Sequence, residues 1–337
     1  MRRVRAPSVA ATGKHFSNMT SHQLSLFSWD VGENYSNIVE LYNEIPKYVH
    51  NVSTAESHLE SKERSFKVGG KLYKVILHPA RIKIQDPETG KLAGTKEMFI
   101  GTREEFVEDA IMKIAIENKC LFELKDTTRV FVTIRQIQEE LKRIKRTCSY
   151  EEIKEAIQVL GGARIILEDE NGDAVAGTST YPEFQLSTES KDGRGYVQLH
   201  PLVSEYIKVG LYRQIDYELC MRFKSRYARR IFKFLNLRFS GARYGQPPID
   251  IYLRAFIGRH GFTLYSRLSD NAKQFKVGLR ELVNAEVLES WAVERKKGLN
   301  SDYVFKLIVH SKFSLSMMRA NGIKKGVQKK LGKAGNG

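Results

Sequence analysis

Residues 133–167 read TIRQIQEELKRIKRTCSYEEIKEAIQVLGGARIIL, and two helices and the first arm of a hairpin can be laid along them in order. Thr133 and Gln136 have the spacing of a capping box, in which two side chains satisfy the free N–H groups that open a helix. Ile134, Ile137, Leu141 and Ile144 then fall on one face. Ser149 with Glu152 repeats the box, Ile153, Ile157 and Leu160 form the next inward stripe, and Gly161-Gly162 stops it. Arg164–Leu167, the Asn171-Gly172 turn and Ala174–Ala176 predict a hairpin behind it. In front, Thr102 with Glu105 forms another box, opening a helix with Phe106, Ala110 and Ile114 inward and Val107 and Ile111 widening the stripe. Val130–Val132 is a short strand between the two. Helix, strand, helix, short turn, helix and hairpin is the order of a winged helix.

The order recurs from Ser225, which caps a predicted helix with Tyr227, Ile231, Phe234 and Leu235 on one face. Ile249–Leu253 follows as a strand and Arg254–Arg259 as a short helix. Asp270 is read as the cap of a helix with Ala272, Phe275, Leu279 and Leu282 inward. Val287–Glu294 and Tyr303–Val309 make a hairpin tipped by Arg295-Lys296-Lys297-Gly298. The predicted class is α+β, with tandem winged-helix domains between basic N- and C-terminal tails expected to be disordered. Upstream, 36–50 has helical spacing, 51–65 reads as a polar loop, and Phe66–Val68, Leu72–Leu77 and Arg81–Ile84 read as strands. Tyr196–Leu199 is a further strand. The predicted boundaries are a tail at 1–22, a peptide at 23–29, domains at 30–218 and 219–311, and a tail at 312–337.

The chain has 337 residues, 55 Lys+Arg against 39 Asp+Glu, and a formal charge of +16. A hydrophobic fraction of 42% excludes wholesale disorder. No apolar run reaches the ~18 residues of a membrane span, and the basic start is too short and polar for a signal peptide. Cys120, Cys148 and Cys220 lack metal-ligand spacing and read as reduced thiols of a cytoplasmic protein. The charge is uneven: 23–218 carries net −6 and 219–297 carries +11. Residues 1–22 and 312–337 hold four and seven basic groups and no acid. Such asymmetry points to a polyanionic partner, most simply nucleic acid.

A duplex major groove admits one helix, and its exposed face must carry the contacts. On 270–283 that face holds Asn271, Lys273, Gln274, Lys276 and Arg280, residue types that suit base edges and phosphates. The tip Arg295, Lys296 and Lys297 would lie beside the adjoining phosphates. The 222–238 helix adds Arg226, Arg229 and Arg230 to an acid-free run; Arg229 or Arg230 could instead stack on an aromatic or pair with an acid of the first domain. In the first domain, Arg143, Lys145 and Arg146 precede a helix bearing Glu151, Glu152 and Glu155. That face fits protein–protein contact as well as phosphate contact.

Gln23-Leu24-Ser25-Leu26-Phe27 resembles the peptide that binds the bacterial sliding clamp, in which Leu26 and Phe27 would enter a hydrophobic pocket while Gln23 fixes register. The alternative is a pin folded onto the protein's own core with Trp29.

Lys224-Ser225-Arg226-Tyr227-Ala228-Arg229-Arg230-Ile231-Phe232 is similar to the signature opening the second winged helix of RepA/TrfA-type plasmid replication initiators, with Ile231 standing before the aromatic. Ile100–Ala110 resembles the start of their first winged helix, and the Gln-Leu-Ser-Leu-Phe string also precedes the body in TrfA-type members. The resemblance spans roughly Gln23 to His310. It implies binding of origin repeats (iterons) as a monomer, opening of adjacent DNA, recruitment of the host replicative helicase, and inactive dimers formed through the first winged helix. Carried over, Lys273, Gln274, Lys276 and Arg280 fall in the second recognition helix, and Lys145, Arg146 and Tyr150 near the first.

No catalytic role is expected. A Gly-x4-Gly-Lys-(Ser/Thr) phosphate loop is missing from the sequence, and its eight histidines form no His-x-His pair. His78 and His200, each before a proline, read as loop or core residues rather than ligands. No cofactor or metal is expected. The rival reading is a winged-helix transcriptional regulator without a replication role, which would have no use for a clamp peptide.

Overall fold

Three caps read from the sequence decide where helices begin, and the computed structural model shows how. It describes residues 35–50, 61–68, 71–85, 92–118, 120–124, 127–186, 195–208, 211–239, 245–296 and 301–334. The first domain begins with β1 (Tyr35–Val39) and a single helical turn, α1 (Glu40–Glu44). Two antiparallel hairpins follow, β2 (Lys62–Val68) with β3 (Lys71–His78), and β4 (Ala80–Gln85) with β5 (Leu92–Met98). Next come α2 (Thr102–Glu117), β6 (Leu121–Leu124), β7 (Thr127–Val132), α3 (Ile134–Arg143), α4 (Tyr150–Gly162), β8 (Arg164–Glu168) and β9 (Ala174–Ser179). β10 (Phe184–Gln185), β11 (Gly195–Gln198), α5 (Pro201–Lys208) and β12 (Tyr212–Asp216) complete it.

The capping boxes at α3 and α4 form as read. Thr133 Oγ1 accepts from Gln136 N at 3.1 Å and Gln136 Oε1 from Thr133 N at 2.8 Å. Ser149 and Glu152 do the same at 3.2 and 2.7 Å. At α2 the cap lies one residue earlier than expected. Glu104 Oε2 accepts from Gly101 N at 2.8 Å, which frees Glu105 for another role. At the β8–β9 tip Asp169 Oδ1 accepts from Asn171 and Asp173 N–H, and Gly172 takes φ +85°, the left-handed turn conformation that favours glycine.

One expectation for this domain is corrected. The helical spacing of 36–50 gives a strand, because β1 pairs along its whole length with β12 and is buried on both faces from Ser36 to Val39. Pro46 then disfavours helical backbone at Ile45, so α1 stops after one turn. The strand before α3 does not join the wing: β7 lies in a sheet of order β10-β11-β7-β6. The wing β8–β9 is extended instead by β3 and β2, whose Val75, Leu77 and Phe66 are buried.

The second domain follows the winged-helix plan closely. α6 (Tyr217–Arg222) leads into α7 (Arg226–Arg238), β13 (Ile249–Tyr252), α8 (Leu253–His260), α9 (Leu268–Asn284) and the wing β14 (Leu288–Lys296) and β15 (Asp302–Val309). Its sheet order is β13-β15-β14. Every inward residue read for α7 and α9 is buried, and Phe275 sits fully enclosed with ring centroids 4.6 Å from Phe305 and 5.3 Å from Phe256. Ser225 caps α7 by accepting from Ala228 N. Asp270 is not the cap of α9; the helix starts a turn earlier, after Arg267, and Asp270 adds favourable negative charge to its first turn. The basic segment from 312 is also corrected. It is helical as α10 (Ser311–Ala334), and Phe313, Met317 and Ala320 are buried in the second core, with Phe313 against Phe232 and Phe239.

Candidate nucleic-acid interface

Helix α9 turns its apolar stripe to the second core, so its remaining side chains must face outward. Lys273, Gln274, Val277 and Arg280 are exposed and Lys276 is half-buried. Lys273 pairs only locally, with Asp270 at 3.1 Å. Arg295 and Lys296 are exposed at the end of β14; Lys296 Nζ donates to Tyr252 Oη at 3.1 Å, and Arg295 lies over the Tyr303 ring at 5.9 Å. Lys297, at the wing tip, lies outside the described residues, as do Gln23, Leu24, Ser25, Leu26 and Phe27 of the peptide motif. A groove of about 300 Å³ runs between the start of α7 and α9, bounded by Lys224, Arg226, Tyr265, Gln274 and Val277. Tyr265 and Arg267, both exposed on the approach to α9, escaped the sequence reading. Their only signal is position, since the N-terminal end of such a helix is the part that meets base edges.

Four expected DNA contacts are corrected. Asn271 is fully buried: its Oδ1 accepts from Tyr265 N at 2.9 Å and its Nδ2 donates to Thr263 O at 2.8 Å, so it braces the loop before α9. Arg229 and Arg230 are only 2% and 4% exposed and point at the first domain. Arg229 donates to Glu105 Oε2 and lies 3.9 Å over the Phe106 ring; Arg230 reaches Glu105 Oε1 at 3.2 Å and lies over Tyr48. Lys233 joins them, bonding Asp109 at 2.6 Å and Glu105 at 3.2 Å. Burial would raise the Glu105 pKa, but Arg229, Lys233 and Arg230 outweigh it and hold the carboxyl well below its usual range. Arg146 is likewise structural: it donates to Phe223 O at 2.7 Å and also lies over the Phe106 ring, at 4.6 Å.

Arg143 and Lys145 differ from these. Arg143 is partly exposed but pairs with Glu140 at 2.9 Å and with Glu218. Lys145 is exposed at φ +60°, so the α3–α4 turn presents it to solvent. On α4, Glu151 is exposed, while Glu155 is engaged by Lys96 and Arg103. Further clasps join the two domains. Arg64 donates to Pro46 O, Tyr48 O and Gly261 O; Arg259 pairs with Glu44; and Thr263 Oγ1 donates to His50 O at 3.1 Å. Among the described residues no helix is long and apolar enough to cross a membrane.

Two winged helices docked on each other, the second presenting a basic outward helix face and wing, define a tandem winged-helix DNA-binding protein. Residues 103–236 match the family model described as Initiator Replication protein, WH1. Over that stretch the chain is similar to replication initiators, the class its sequence motifs also resemble. The match runs on through most of α7, the helix whose cations dock on α2. No curated protein matches the sequence at a significant level. Among solved structures, the crystal structure of RctB domains 2-3 is similar with a TM-score of 0.47 at 9% identity, covering 82% of this chain and 99% of that one. A selenomethionine form of the same RctB domains gives 0.45 at 10% identity, covering 77% and 94%.

Proposed function

We propose that the protein initiates plasmid replication by binding repeated sequences (iterons) in the origin, with α9 in the major groove and the β14–β15 wing along the neighbouring backbone. The observation that carries this reading is the outward face of α9: Lys273, Gln274 and Arg280 are exposed, while Glu281 on the same helix is turned onto the backbone N–H groups of Lys224 and Ser225, just ahead of α7. Arg226 at the start of α7 extends the basic rim. The first domain, with its engaged and acidic surfaces, suits self-association and copy control, with exposed Lys145 available for phosphate contact and Arg143 held by Glu140 and Glu218. The role is one of binding, not catalysis, and calls for no cofactor. Origin opening and recruitment of the host helicase in the bacterial cytoplasm complete the proposal.

Arg280→Ala is expected to cost about 1–3 kcal/mol of binding to an origin repeat while leaving binding to scrambled DNA nearly unchanged. A mobility-shift titration on both DNAs checks it, and equal losses on the two would remove base reading from Arg280. The peptide at 23–27 supports a sliding-clamp partner through sequence alone. Replacing Leu26 and Phe27 together with alanine is expected to abolish retention on immobilised clamp, and full retention would exclude the motif.

A further inference from the structure

An acid on a helix that reads DNA is a liability, since it repels phosphates, and Glu281 of α9 is such an acid. Its carboxylate accepts from Lys224 N at 3.0 Å and from Ser225 N at 3.1 and 3.2 Å. These N–H groups belong to the peptide joining α6 to α7. The same peptide is held from the other side by Arg146, on the α3–α4 turn of the first domain, which donates to Met221 O at 3.3 Å and Phe223 O at 2.7 Å. Residues 221–225 are therefore gripped through their carbonyls by one domain and through their N–H groups by the reading helix of the other. Arg146 and Glu281 also attract each other across this link.

The backbones of α9 and α7 meet at the same place. A Cβ on Gly278, one turn before Glu281, would stand 2.8 Å from Ala228 N and 2.9 Å from Tyr227 Cβ, closer than real Cβ atoms come. The close approach lets a side chain as short as glutamate reach the start of α7.

We infer that Glu281 is a positioning residue for DNA reading. Through the 221–225 link it ties α9 to Arg146 and sets the reading helix at a fixed distance and angle from the first domain. This rests on the proposal that α9 reads origin DNA. It also explains how the acid is tolerated: its charge is directed onto peptide N–H groups at a helix start, where negative charge is favourable.

The test is the ratio of affinities for an origin repeat and for scrambled DNA at one salt concentration, measured on the full chain. E281A is expected to lower that ratio at least tenfold, with binding to scrambled DNA unchanged or tighter because an acid is gone. E281Q keeps one acceptor oxygen and is expected to fall between E281A and the native protein. A residue needed only for stability would weaken both affinities together and leave the ratio intact, so a folded E281A with the native ratio overturns the inference. Circular dichroism reports folding. Should E281A fail to fold, E281Q decides alone, with a ratio about threefold below native expected and an unchanged ratio overturning the inference. A native protein that does not distinguish the two DNAs would instead refute the proposed function.

Discussion

Glu105→Ala is expected to lower the stability of the folded chain by about 3–5 kcal/mol, the usual cost of removing one partner from a buried ion pair. Glu105 is only 2% exposed, and its two oxygens serve Arg229, Arg230 and Lys233, each less than 5% exposed. Without it, Arg229 keeps its stacking on Phe106 and Lys233 keeps Asp109, but Arg230 loses its carboxylate partner inside the protein. Desolvating a charge without a partner is costly, so part of the loss comes from the cations left behind. The site is buried and salt screens it little, so raising ionic strength is not expected to recover the stability. Urea unfolding of the native and E105A chains measures the difference. A loss under about 1 kcal/mol, the scale of an exposed pair, would show that the domains do not depend on this contact.

The second large effect is with pH. Burial pushes His50 and His200 down to about 3, helped at His50 by Arg230, Arg226 and Arg229 and at His200 by Lys47. His50 Nδ1 meets Thr102 Oγ1 at 3.0 Å, and His200 Nδ1 accepts from Leu202 N at 3.1 Å. An unfolded chain takes up both protons near pH 6.5, whereas the folded chain refuses them until about pH 3. The stabilisation is therefore complete above pH 6.5 and is lost as pH falls through that window, at about 1.4 kcal/mol per pH unit for each histidine. At pH 4.5 the two together amount to about 5 kcal/mol, much of the stability of an ordinary domain. Asp109, raised by burial, acts in the opposite direction, and Glu105, held low by its cations, adds to the loss at lower pH. Urea midpoints at pH 7.5 and 4.5 check this, with H200Q expected to show a flatter profile than the native chain. Equal midpoints for the native chain at both values would contradict it.

Much of the second domain was legible because it is periodic. Tyr227, Ile231, Phe234 and Leu235 on one helix and Ala272, Phe275, Leu279 and Leu282 on the other are spaced by helical geometry alone, and all are buried. The boxes at Thr133 and Ser149 were legible for a similar reason, since their partners lie three residues away. What failed depended on partners distant in sequence. The inward turn of Arg229 and Arg230 was legible only as an alternative, pairing with an acid of the first domain, because nothing near them singles out Glu105, more than a hundred residues earlier. Asn271 has the right type and spacing for a base contact, but the loop before it takes both of its amide atoms. β1 carries a helix-like pattern because a strand buried on both faces does not alternate. The helix after Ser311 is basic enough to resemble a solvated tail, and only the cavity it fills beside Phe232 and Phe239 explains Phe313. The candidate contact surface that remains is smaller than the sequence suggested: the outward face of α9, the wing, and the groove by Lys224 and Arg226.

Footprinting the full chain on the DNA that flanks its own gene tests the central claim most directly. The account predicts protected direct repeats in regular array, each covering about two helical turns as expected for two winged helices docked in one fixed arrangement. Protection without sequence preference, or of a single palindrome, would contradict it.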